Sequence, residues 1–185
     1  MLQLEVRELG GDDLCAWDTL VAGSAQGAVF HSSNWLVKNA SLQSQDLVPL
    51  GCYEGEELIG GCPLYLSRPY NLLGPATSTA ALTPYGGMIV TEIEGAKQRR
   101  REAHANRIIT ALLEYIAWQE FDCVNLVNSL GLTNIRASVQ RGMEHDDLLH
   151  LSTPAGGQHP QDSLKGCATE YTQGPEAGHP IDQEI

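Results

Sequence analysis

The residues able to do chemistry are few and scattered. His31 and Asp122 are the plausible acid–base singles in the regularly patterned part of the chain, apart from carboxylates that read as surface groups. Histidine titrates near neutrality and could move a proton, although beside a helix N-cap it is more often structural. The run Tyr85-Gly86-Gly87 uncovers the main chain, since glycine lets a ligand approach the backbone. A bulged strand is the alternative. Five cysteines (Cys15, Cys52, Cys62, Cys123, Cys167) lie far apart with no CxxC pair, which reads as reduced, buried thiols. Four of the six histidines (His145, His150, His159, His179) sit late in the chain at spacings that fit no zinc pattern, so no metal is expected. There is no Ser-His-Asp elbow and no Walker or Rossmann glycine loop.

Those residues need a scaffold, and 185 residues are enough for one domain with a real core. Only 6% of the chain is aromatic, so that core must be mostly aliphatic. A formal charge of −12 argues against broad nucleic-acid or anionic-membrane binding, which needs a basic face. No stretch of about 18 apolar residues exists, so no membrane span is expected. The acidic, alternating start is unlike a signal peptide, and with an odd number of cysteines it points to the cytoplasm.

Leu2 to Leu9 alternate as a half-buried strand, and Asp12-Asp13 open an amphipathic helix carrying Leu14, Trp17, Leu20 and Val21. Ser32 or Ser33 caps a short second helix with Trp35, Leu36 and Asn39, and both Trp17 and Trp35 read as core aromatics. A hairpin follows, Leu47 to Tyr53 and Leu58 to Leu66, with Gly60-Gly61 marking a bulge or a close backbone approach. Ser67 to Thr83 reads as a loop, and LTPYGGMIV as a strand through Val90. Apolar residues at helical spacing make Glu92 to Phe121 a long helix, whose basic start (Lys97, Arg99, Arg100, Arg101) reads as a solvated face. Asp122 to Val127 is a further strand, and Leu130 to Arg136 starts a short helix. The order β-α-α-β-β-β-α-β-α predicts an α/β domain, a mixed sheet with helices on its faces.

Three local runs carry a resemblance: FHSSNWL, then GCYEGEELIGGCPLYL, then LTPYGGMIV. In that order they resemble the N-terminal half of FemAB-like proteins, whose modules have the GNAT acyltransferase fold. The resemblance covers about residues 29 to 136 and implies acyl or aminoacyl transfer to an amine acceptor, from aminoacyl-tRNA or acyl-CoA. The acceptor would be a small molecule or a cell-wall precursor, and nucleic acid would enter only as a charged tRNA held with a second module. It implies a substrate groove holding Trp35, Lys38, Tyr85, Gly86 and Gly87, with Lys38 reaching an acceptor phosphate. From composition alone Lys38 reads first as an exposed helix lysine. The approach to the long helix, IVTEIEGAKQRR, lacks the Q/R-x-x-G-x-G/A pyrophosphate loop, so no cofactor is expected to bind this module. The alternatives to the family activity are a stand-alone acyl-CoA-dependent GNAT enzyme and a non-catalytic binding module that pairs through a sheet edge.

The GNAT-like module is expected over residues 1–137, and 138–185 reads as an irregular tail, rich in Gly and Pro and without periodicity. Shifting the reading frame forward by one nucleotide turns Gly142-Met143-Glu144 into x-Trp-(Asn or Ser). The same shift lets Lys165 to Gly178 encode a basic helix like the one with which the family continues. A frameshift near Ala137 is therefore the expectation, with the chain a module that is inactive alone. The downstream DNA in all three frames tests it, since no single-nucleotide change would restore a longer open frame if the idea is wrong.

Overall fold

The computed structural model describes residues 3–67, 74–119, 121–129 and 132, together with the backbone of 144–146 and 150–153. Strand β1 (Leu4–Glu8) keeps the alternation read from sequence, with Leu4 and Val6 turned to the core. Helix α1 (Leu14–Gly23) follows a 3-10 turn at Gly11–Asp13, where the Gly10 N–H donates to the Asp13 carboxylate. A second 3-10 turn, Val29–His31, leads into α2 (Ser33–Gln43). The Asp18 carboxylate accepts from both the Ser33 N–H and its hydroxyl, tying the start of α2 back to α1.

Strands β2 (Asp46–Glu54) and β3 (Glu57–Leu66) form the hairpin, turning at Gly55, whose φ of 68° suits glycine. Two residues, Ala76–Thr77, make β4, and two more, Ile89–Val90, make β5. Helix α3 (Gln98–Ala117) and β6 (Val124–Val127) follow, then β7 (Glu144–Asp146) and β8 (His150–Thr153). The eight-stranded sheet runs β1-β2-β3-β4-β6-β8-β7, with β5 also paired to β3. It is mixed: β4 and β6 are parallel, and every other pair is antiparallel.

The two faces are covered by different helices. Ile108, Ile109, Leu112 and Ile116 of α3 are buried with Leu50, Cys62, Leu64 and Leu126, while Trp17 and Leu36 of α1 and α2 are buried with Tyr65 and Ile89. Gly60 and Gly61 sit where both helical layers come closest. A Cβ on Gly60 would lie 2.5 Å from Ile108 Cγ2, and one on Gly61 would lie 2.5 Å from Trp17 Cζ3. The register also slips between Cys52 and Tyr53, so this place is at once a bulge and a close approach.

The α/β architecture read from the sequence is the one observed. Three local differences matter. The stretch read as a loop contains β4, while LTPYGGMIV forms a strand only at its end. The long helix starts six residues later than read, at Gln98. Backbone pairing carries the sheet into β7 and β8, where no side-chain alternation is legible. The expected helix at Leu130 to Arg136 falls outside the described residues except for Leu132.

Candidate functional site

The parallel strand beside β6 is interrupted. Ala76 N–H donates to Cys123 O at 2.8 Å and Ser78 N–H to Asn125 O at 2.9 Å. The next donor to β6 is Gly86 N–H, to Val127 O at 2.9 Å. Residues 79–85 are therefore an excursion out of a strand that resumes in register beyond it. Its neck is tight. A Cβ on Gly86 would fall 2.3 Å from Ser78 O, and one on Gly87 would fall 2.1 Å from Asn128 Oδ1. Side chains stand in for backbone at the break: Val127 N–H donates to Ser78 Oγ, and Met88 N–H to Asn128 Oδ1, each at 2.9 Å.

The excursion folds over α2. Thr83 Oγ1 accepts from Trp35 Nε1 at 3.2 Å and from Asn39 Nδ2 at 2.9 Å, and Asn39 Nδ2 also donates to Ala81 O. Phe30 meets both Trp35 and Tyr85 edge-on, with centroids 5.3 Å apart in each case. Leu82 at the tip has φ 64°, a conformation that costs a non-glycine residue about 1–2 kcal/mol.

His31 lies fully buried, its carbonyl accepting from Trp17 Nε1 at 2.6 Å. Neither ring nitrogen has a hydrogen-bond partner among the described residues. Burial pushes the imidazolium down to about 4, and the Gly87 backbone offsets part of this by proximity, without a bond that meets hydrogen-bond geometry. The Asn128 amide nitrogen and the Ser129 hydroxyl are also buried and without a partner among the described residues. Gly87 thus has an unsatisfied imidazole on one side and an unsatisfied amide on the other. Buried polar groups without partners are uncommon and point to a ligand or ordered water between them.

A histidine that holds a proton only below about 4 is a weak base for an ammonium ion. It serves better as a neutral hydrogen-bonding group. The thiols are equally unsuited to nucleophilic work: burial raises Cys52 to about 11 and Cys62 to about 12.

The depressed His31 sets a pH dependence. Its folded value lies below the ordinary 6.5, so its contribution to stability is complete above 6.5 and declines as pH falls toward about 4. The loss across that window is expected to be about 3 kcal/mol. Denaturant midpoints of the wild type and His31→Gln, followed down the same window, check this. Equal acid losses in both proteins would refute it.

Of the residues singled out from sequence, Trp35, Tyr85, Gly86 and Gly87 come together here. Lys38 is exposed, one turn beyond Trp35 on α2. Asp122 is exposed and precedes β6, at the opposite end of that strand from Asn128, so it is not part of this site. Sequence reasoning missed Asn128, Ser129, Asn39 and Thr83. The available signal was a polar pair directly after an apolar strand, since ligands gather at the carboxyl ends of parallel strands.

Two surface hollows lie elsewhere, about 270 Å³ beside Leu9, Leu14 and Val37 and about 120 Å³ beside Val48, Tyr115 and Phe121. The larger has an all-apolar side-chain lining and offers no acid–base group. Among the described residues no cluster of His, Cys, Asp or Glu could hold a metal, and no helix is long and apolar enough to cross a membrane. The start of α3 is strongly basic. Its N-cap is Lys97, which makes no side-chain cap, and Arg99, Arg100 and Arg101 are exposed in the first turn.

No protein-family model matches the sequence, and no curated protein matches it. Solved structures do match the fold. A GNAT-family acetyltransferase from Brucella melitensis, in complex with acetyl-CoA, superimposes with a TM-score of 0.52 at 11% identity, covering 89% of this chain and 97% of that one. AAC(6')-Ib, in complex with ribostamycin and coenzyme A, gives 0.50 at 13% identity, covering 83% and 93%. The chain has the fold of the GNAT acetyltransferases.

Proposed function

We propose that this protein is an N-acyltransferase that moves an acyl group from a coenzyme A thioester to an amine. The amine nitrogen attacks the thioester carbonyl, the C–N bond forms, the C–S bond breaks, and the nitrogen proton leaves with the thiolate or to solvent. One observation carries this reading: the strand paired with β6 opens at residues 79–85, and its closing glycines bring the backbone against the His31 ring and the Asn128 amide, whose nitrogens have no partner among the described residues. Such a break leaves the His31 ring and the Asn128 amide nitrogen without partners among the described residues, where a tetrahedral oxyanion would develop. The two neighbours above were solved with acetyl-CoA and with coenzyme A, which supports a thioester donor. The ordinary pyrophosphate loop is absent, but the α3 terminus compensates, since the N–H groups of a helix start and four nearby cations favour an anion.

The test is direct. Acetyl-CoA at about a hundred times its dissociation constant is expected to stabilise the fold by about 2.7 kcal/mol, read as a rise in melting temperature. Free thiol should then appear only when an amine is added. If acetyl-CoA neither shifts the melting temperature nor yields thiol with any amine, the reading is wrong.

A second, finer reading is favoured by the meeting of Phe30, Trp35 and Tyr85. They come from the two separate runs FHSSNWL and LTPYGGMIV that resemble FemAB-like proteins, and they touch. Under it the donor is aminoacyl-tRNA, the acceptor a cell-wall precursor, and a second module is needed. Transfer of a labelled amino acid from charged tRNA to a nucleotide-linked peptide, with no thiol release from acetyl-CoA, would favour it over the first.

A further inference from the structure

We infer that the amine acceptor has an uncharged aromatic or aliphatic body, selected by an apolar rim that Val29 and Leu82 form beside the Phe30–Trp35–Tyr85 cluster. The word acceptor rests on the acyl-transfer reading; the binding preference does not.

The rim is built at a cost. Val29 is 63% exposed and Leu82 is 90% exposed, two of the five exposed large apolar side chains among the described residues. Val29 directly precedes Phe30 in its 3-10 turn, and Leu82 directly precedes Thr83, which Trp35 and Asn39 hold. Leu82 stands outward on a left-handed backbone that glycine or asparagine would adopt more cheaply. Strain at an exposed leucine in a pinned loop is the kind of local cost found where a side chain has work to do. The three rings beneath already pack edge-to-face, with interplanar angles of 77° and 89°, so a further ring or alkyl chain meets faces and edges of matching polarity.

Charge narrows the class further. The chain holds 23 Asp and Glu, yet none lies between Ser24 and Gln45, where Lys38 is the sole charged side chain (His31 being neutral), and none between Gly74 and Thr91. These are the two segments that build the site. An acceptor with several ammonium groups, such as a polyamine or an aminosugar, would desolvate its extra cations against segments that supply no carboxylate of their own, the adjoining Asp18 carboxylate being held by the Ser33 N–H and hydroxyl. Lys38 would add repulsion. An acceptor with a single reacting amine on an apolar frame suffers neither penalty and covers the exposed rim.

The experiment uses the full chain with acetyl-CoA as donor and three amines: phenethylamine, spermidine and ethanolamine. Acyl transfer is followed by thiol release, and binding of phenethylamine without donor is followed by calorimetry. The variant is V29S/L82N, two exposed sites at which asparagine suits the Leu82 backbone, so its melting temperature should stay near the wild-type value. Phenethylamine should be preferred over spermidine by at least about tenfold in kcat/KM, and the variant should lower the phenethylamine-to-ethanolamine ratio by about tenfold. Spermidine used as well as phenethylamine, or an unchanged ratio in the variant, overturns the inference and leaves the acyl-transfer reading standing. Phenethylamine binding that weakens in the variant, with no turnover of any amine, upholds the rim and removes the acyl-transfer reading. Absence of both binding and turnover overturns both.

Discussion

Trp17→Ala is expected to remove about 3–5 kcal/mol of folding stability. The indole is fully buried between α1 and the sheet, among Leu20, Leu36, Tyr65 and Ile89. Gly61 has no side chain because the indole occupies that place, so truncation leaves a hole that the rigid β2–β3 pair is poorly able to close. It also strips the His31 carbonyl of its 2.6 Å donor in a buried setting, a penalty of about 1–3 kcal/mol when the group finds no water. Against a typical total of about 5–15 kcal/mol, the protein would be left partly unfolded or nearly so. Trp17→Phe keeps most of the volume and should lose about 1–2 kcal/mol, the share of the hydrogen bond. Guanidinium unfolding of the three proteins reads both steps. A Trp17→Ala protein within about 1 kcal/mol of wild type would mean that the α1 face is not packed as described.

Gly87→Ala is expected to have the largest effect on activity. The new methyl would sit 2.1 Å from Asn128 Oδ1 and 2.7 Å from Asn128 Cα. A rotamer change could relieve the first contact, but the second is backbone and requires β6 to move. Movement breaks the Asn128 Oδ1 bond to Met88 N–H and reopens the neck of the excursion. Overpacking with a lost buried bond should cost about 2–4 kcal/mol. Under the acyl-transfer reading, displacing these donors by about 1 Å should also lower turnover by about a hundredfold. The companion Asn128→Ser removes the same bond without moving the backbone, and should lose less of both. Thiol-release kinetics with acetyl-CoA, alongside melting temperatures, separate the two effects. Full turnover in a folded Gly87→Ala protein would show that this glycine does not position the reacting groups.

Much of this molecule was legible before its coordinates. The Leu4–Val6 alternation, the β2–β3 hairpin and the helical spacing of Ile108, Ile109, Leu112 and Ile116 each record a burial period in the residues themselves. Gly60-Gly61 announced a close approach for the same reason, as a side chain there has no room. Of the candidate site residues, Tyr85-Gly86-Gly87 drew notice because paired glycines uncover the main chain, whereas Trp35 read as a core aromatic and entered only through the family resemblance.

What stayed hidden was decided by partners far away in the chain. A two-residue strand such as β4 has no period to detect. It exists because Ala76 and Ser78 find the carbonyls of Cys123 and Asn125, some 47 residues on. The excursion at 79–85 follows from that pairing resuming at Gly86, which no local propensity specifies. The state of His31 is likewise a tertiary outcome. Its type allowed a surface switch or a core residue alike, and only its complete burial in the folded chain excludes water and lowers its affinity for a proton. Side-chain pattern reports burial against one neighbouring layer; backbone pairing and desolvation depend on several segments meeting, and those built the site.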